Sequence, residues 1–116
     1  CRSASNSYHS RRYCSIGGCY VELKNYYQAE ANYKEAFRLY CQYYNATING
    51  IKTGEVHDEE LGMYLYNYAI CYYRQNEEAN GDEIMKMAAI CGNQNAIGFC
   101  RKYNINYQTK SSKLFE

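Results

Sequence analysis

Apolar side chains recur at intervals of three and four along most of this chain, and that spacing predicts helices. Tyr20, Leu23, Tyr27 and Ala31 share one helical face from Cys19 onward. Asn32 is placed to cap a second helix, with Glu35 three residues on to complete a capping-box-like pair. Tyr33, Ala36, Phe37, Tyr40, Tyr43 and Tyr44 give that helix a wide apolar stripe up to about Asn45. Between Ala46 and His57, Asn49-Gly50 and Gly54 mark a loop with room for one short turn. Asp58 caps the next helix. Glu59 and Glu60 fall in its first turn, where the helix dipole favours negative charge, and Leu61, Leu65, Tyr68, Ala69 and Tyr72 carry its inner face to an end near Asn76. Residues Glu77 to Gly81 read as a polar connection. Asp82 then caps a short fourth helix with Ile84, Met87, Ala88 and Cys91 on one side, closed by Gly92. A fifth helix starts at Asn93 or Asn95 and faces inward through Ala96, Phe99, Cys100 and Tyr103.

The two ends lack this period. Residues 1–16, rich in Ser, Arg and Asn, predict a flexible N-terminal arm, with Gly17-Gly18 as punctuation before a helical domain over residues 17–105. Residues 106–116 read as a polar C-terminal tail, with Leu114 and Phe115 as the side chains able to fold it back. With 116 residues, the chain has room for one domain.

A small phrase recurs within the helical region: Leu23-Lys24-(x2)-Tyr27, Tyr68-Ala69-(x2)-Tyr72 and Phe99-Cys100-(x2)-Tyr103. Recurrence of this kind points to stacked helical pairs, each hiding its apolar face against the next. The expected fold is all-α, a right-handed superhelical stack of about five helices.

From about Gly17 to Gly50 the chain resembles a tetratricopeptide repeat. Tyr20 stands for the opening aromatic, Leu23 for the family's leucine, Tyr27 for the first-helix tyrosine, Tyr33 for the aromatic opening the second helix, Ala36 for the small residue at the crossing, and Tyr40 for the second-helix aromatic. It departs at Lys24, at Tyr43 and in having no closing proline. The run Met87-Ala88-Ala89-Ile90-Cys91-Gly92-Asn93, followed by Ala96 and Cys100, is similar to the helix junction of the related Sel-one-like repeat.

That resemblance implies a peptide-binding concave surface made by the first helix of each pair. On this chain the surface takes Val21, Asn25 and Gln28 from the first unit, Met63, Tyr66, Asn67, Ile70, Tyr73 and Arg74 from the second, and Gln94, Ile97, Arg101 and Asn104 from the third. The expected peptide-binding residues are Asn25, Gln28, Tyr66, Asn67, Ile70, Tyr73, Arg74 and Arg101. Side-chain amides both donate to and accept from a peptide backbone, and arginine presents paired donors to a carboxylate. Val21, Gln94 and Gly98 stand where a chaperone-type carboxylate clamp places basic residues, which argues against that clamp. The implied role is a non-enzymatic module for a protein or peptide partner. The alternatives are self-association as a homodimer through the same face and, more remotely, a small metal-dependent enzyme.

Composition narrows the choice. Lys and Arg number 13 against 12 Asp and Glu, so no global field recruits nucleic acid or an anionic membrane. Arg2, Arg11 and Arg12 with Tyr8 and Tyr13 are too few for a nucleic-acid interface and read as a solvated segment. No run is long and apolar enough for a membrane span. Tyrosine, at 16 residues with no Trp and three Phe, must supply most of the large packing side chains.

Seven cysteines appear with no CxxC pair; Cys41, Cys71, Cys91 and Cys100 fit helical positions for small apolar residues, so free thiols and a cytoplasmic setting are expected. The pairing of Cys1, Cys14 and Cys19 stays open. Cys1 is read as an accidental start of the sequence; the alternative is the lipid-modified cysteine of a membrane-anchored bacterial lipoprotein. His9, Cys14 and Cys19 lack the local pairs of a zinc site, and capping accounts for His57-Asp58-Glu59-Glu60. No cofactor, metal or catalytic residue is expected.

Overall fold

The computed structural model describes residues 2–107, with side chains from Tyr8 onward. Among the described residues the chain is all-α, with six helices: α1 (Arg2–Glu22), α2 (Tyr26–Tyr44), α3 (Ile48–Lys52), α4 (Glu59–Arg74), α5 (Glu78–Ile90) and α6 (Gln94–Lys102). Links of a few residues join α1 to α2, α4 to α5 and α5 to α6, so neighbours in sequence pack side by side. The molecule measures 41 × 36 × 19 Å, and its least extent is that of two helical layers.

The first half departs most from expectation. A helix, α1, runs through what was expected to be a flexible arm, and straight past Gly17-Gly18. It is held down by packing. Ser10 is buried and its hydroxyl donates to the Ala36 carbonyl at 3.1 Å, while Tyr13, Cys14 and Tyr20 rest against the core. Gly17 is buried because a Cβ there would come within 3.0 Å of the Tyr33 ring, so a glycine inside the helix lets a tyrosine of α2 lie directly on its backbone.

The break then comes at Leu23–Asn25 instead of before Tyr33. Lys24 takes the left-handed conformation (φ 60°), and Asn25 caps α2 by accepting from the Gln28 N–H at 3.3 Å. Asn32, expected as the cap, lies mid-helix and donates to the Gln28 carbonyl at 2.8 Å. Leu23 and Tyr27, assigned to one buried face, consequently fall on opposite sides of the turn and are 74% and 72% exposed. The inner face of α2 is Ala29, Tyr33, Ala36, Leu39 and Tyr40.

The second half follows the pattern more closely. Asp58 caps α4 by accepting from the Glu60 N–H at 2.8 Å, and its other carboxylate oxygen accepts from the Tyr40 hydroxyl at 2.5 Å, which pins α2 to the start of α4. Thr47 caps α3, a single short helix within the expected loop. Gly92, at φ 95°, ends the α5 segment, and Asn93 caps α6 through the Ala96 N–H at 2.9 Å. Asp82 is not a cap. The residues from Glu78 to Gly81 belong to α5, and Gly81 is buried against Tyr73, whose ring a Cβ would meet at 2.7 Å.

The core joins Tyr33, Ala36 and Tyr40 of α2 to Leu61, Tyr64, Leu65 and Tyr68 of α4 and to Met85, Ala88, Ala96 and Cys100 beyond. Tyrosine rings supply its bulk, as the composition requires: Tyr40 meets Tyr64 edge-on with centroids 6.2 Å apart, and Tyr68 stacks on Tyr72 at 5.1 Å. Tyr64 is fully buried, and its hydroxyl is the only buried side-chain polar atom among the described residues without a hydrogen bond. Burial pushes that phenol up to about 12.

The six described cysteines carry free thiols. Cys71, Cys91 and Cys100 are buried, Cys14 and Cys41 half-buried and Cys19 exposed. Burial raises Cys14 to about 11, Cys71 to about 12 and Cys91 to about 11, which keeps these thiols protonated and poor nucleophiles. Cys1, Leu114 and Phe115 lie outside the described residues.

Candidate functional site

A cleft of 610 Å³ opens where the C-terminal end of α4, the first turns of α5 and the last turn of α6 converge. From α4 come Ile70, Tyr73 and Arg74; from α5, Glu78 and Asp82; from α6 and the chain just past it, Phe99, Tyr103 and Ile105. The helix ends dictate this. Residues 70, 73 and 74 share one face of α4, and 78 and 82 lie one turn apart on α5.

Three rings form a ladder along the floor. Tyr73 stacks on Phe99 with centroids 5.0 Å apart and planes 25° from parallel, and Phe99 leans on Tyr103 at 4.6 Å and 45°. The ladder is fixed at its Tyr73 end, where the hydroxyl donates to Asp82 at 2.5 Å and the ring lies on Gly81. Burial, and then the bond to Asp82, push the Tyr73 phenol well above its usual range. At the other end Tyr103 is 56% exposed.

Charge is unevenly placed around the ladder. Glu78 and Asp82 form one wall. Arg74, on the α4 side of the cleft, has its guanidinium carbon 5.8 Å from the centre of the Tyr26 ring, and Lys102 lies over Tyr103 at 5.4 Å. Among the described residues neither cation forms an ion pair with Glu78 or Asp82; the ion pairs there are Arg11–Glu60, Arg38–Glu35 and Lys86–Glu83.

Of the residues expected to bind a peptide, the structure gathers Ile70, Tyr73 and Arg74 in this cleft. The others lie elsewhere. Asn25 spends its side chain on the α2 cap, and Gln28 stands exposed in the first turn of that helix. Tyr66 is half-buried against the core, and Asn67 donates to the Met63 carbonyl of its own helix at 3.0 Å. Arg101 is exposed on α6 and does not line the cleft.

Five contributors, Glu78, Asp82, Phe99, Tyr103 and Ile105, lie outside that expectation. Phe99 and Tyr103 were assigned to the inner face of α6, but Ala96 and Cys100 alone are buried on that helix, and the larger rings sit at its edge. Glu78 and Asp82 were hidden by the assumption that the helix starts at Asp82; begun at Glu78, the same sequence puts two carboxylates on one face.

Among the described residues, no group of three or more His, Cys, Asp or Glu side chains is close enough to hold a metal ion. No described helix is long and apolar enough to cross a membrane. Comparison with protein-family models, with curated proteins and with solved structures finds no match to this chain.

Proposed function

We propose that this protein is a non-enzymatic interaction module that holds a peptide or partner helix in the cleft between α4, α5 and α6. The observation that carries this reading is the Tyr73–Phe99–Tyr103 ladder, open to solvent at Tyr103 and flanked by Ile70 and Ile105. Aromatic rings give large contact area at little entropic cost, and a ring ladder held by stacking is pre-organised for a partner. Kinship with tetratricopeptide and Sel-one-like repeats, and a superhelical stacking of the pairs, belong to the same proposal; the Ala88-Ala89 to Asn93 junction and the α4–α5 pairing support them.

The test is a peptide array followed by titration of the full chain, monitored by NMR. Binding should shift the Ile70, Phe99 and Tyr103 signals, and Phe99→Ala should weaken it at least about tenfold, as loss of a central aromatic anchor does. The rival reading is self-association through the same face, favoured by the exposure of Tyr103. Sedimentation separates the two, because a tight dimer dispersed by Phe99→Ala would replace the peptide reading.

A further inference from the structure

Glu78 and Asp82 are like charges at i and i+4 on α5, an arrangement that costs a helix stability unless a cation sits between them. The helix dipole accounts for Glu78 in the first turn but fades before Asp82. Lys86, one turn past Asp82, is paired with Glu83 at 3.6 Å instead. Arg74, which lines the cleft, lies over the Tyr26 ring, and Lys102 lies over the Tyr103 ring. Among the described residues, Asp82 receives the Tyr73 hydroxyl on one oxygen and has no hydrogen-bond partner on the other, and the Glu78 side chain has no hydrogen bond or ion pair. The acidic wall thus faces an aromatic floor, and among the described residues no cation forms an ion pair with it.

On the reading that the cleft binds a peptide, we infer that it selects one carrying an arginine, whose guanidinium takes the place of Lys102 on the exposed Tyr103 ring and turns its donors toward the acidic wall of Glu78 and Asp82. Guanidinium suits both surfaces. It is planar and weakly hydrated, so it stacks on a ring face, and its edge presents paired donors to carboxylates. An ammonium would satisfy the acids but gain less from the rings. Apolar neighbours of the arginine would meet Ile70 and Ile105 at the two margins.

The test uses the full chain and four short peptides that differ at one central position flanked by leucines: arginine, lysine, citrulline or glutamate. Calorimetry should give the order arginine, lysine, citrulline, glutamate, with arginine at least about tenfold tighter than its neutral isostere citrulline. Glu78→Gln, at an exposed position and with the fold checked by circular dichroism, should narrow the gap between arginine and citrulline, and an unchanged gap overturns the inference. Equal binding of all four peptides, or a preference for glutamate, overturns the inference and leaves the peptide reading standing. Binding of none overturns both. A dimer that shields Tyr103 and excludes every peptide also overturns both, and assigns the cleft to a second copy of the chain.

Discussion

Two glycines in this molecule stand in the same relation to a tyrosine. Gly17 of α1 seats the Tyr33 ring of α2, and Gly81 of α5 seats the Tyr73 ring of α4; a Cβ would meet those rings at 3.0 and 2.7 Å. The settings differ. Tyr33 is 3% exposed and belongs to the core, whereas Tyr73 is half-buried and forms the fixed end of the cleft's aromatic ladder. One device, a ring pressed onto bare helix backbone, thus serves cohesion in the first half and the shape of a binding surface in the second. In a chain without tryptophan, tyrosine fills space with its ring and fixes its own orientation with its hydroxyl.

Truncating the rings should separate these roles most sharply. Tyr33→Ala is expected to cost about 3–5 kcal/mol, the range for removing a large aromatic from a core, read from urea unfolding. Tyr73→Ala should cost about half as much, since its ring is only partly buried, yet abolish peptide binding. Equal stability losses would mean that the cleft is as much core as the α1–α2 contact.

Filling the glycines is the next test. Alanine gains up to about 1 kcal/mol of helix propensity, set against about 1–3 kcal/mol for forcing a methyl group into a packed contact. At Gly81 the ring is held by Phe99 and Asp82 and cannot give, so Gly81→Ala should destabilise by ~1–2 kcal/mol net and weaken binding. At Gly17 the contact is looser by a few tenths of an ångström, and Gly17→Ala should come out near zero or slightly destabilising. Among the described residues, nothing beyond the helix's own backbone lies within 4 Å of where a Cβ at Gly98 of α6 would be, so Gly98→Ala should raise the unfolding midpoint.

The subtlest difference lies in titration. Both phenols are pushed above the usual 10.0, Tyr33 by burial and Tyr73 by burial and then by the bond to Asp82. Folding favours the protonated form of each, so the stability they contribute is complete below pH 10 and is lost as pH rises through the folded values. Asp82→Asn should bring the Tyr73 titration down without moving that of Tyr33, followed by NMR of ring-labelled tyrosine. An unchanged Tyr73 would show that burial alone controls it.

The same two glycines explain which parts of the fold were legible. In the second half Asp58, Gly92 and Asn93 do what their residue types suggest, because the contacts they make, such as the Tyr40 hydroxyl on Asp58, leave their local caps in place. Gly17-Gly18 read as punctuation and Gly81 as the end of a polar connection, yet Gly17 and Gly81 sit inside helices because their lack of a side chain is used by a ring of the neighbouring helix. Asn25 and Asn32 both match a cap followed three residues later by Gln or Glu. The stripe Ala29, Tyr33, Ala36 and Tyr40 crosses Asn32 without a break, and that continuity favours Asn25. For the cleft, Ile70, Tyr73 and Arg74 could be read from the phase of α4, whereas Glu78 and Asp82 depended on a helix start that the sequence obscured.

Asp58 ties this architecture together more tightly than a modular array requires. In a stack of independent pairs, a terminal unit can fray while the rest stays folded. Here the carboxylate that starts α4 also receives the hydroxyl of Tyr40, so α2 cannot peel away without removing a bond that orients the α4 cap. Loss of order at the amino-terminal end is therefore expected to weaken the start of α4, and unfolding followed separately in the two halves should give coincident transitions.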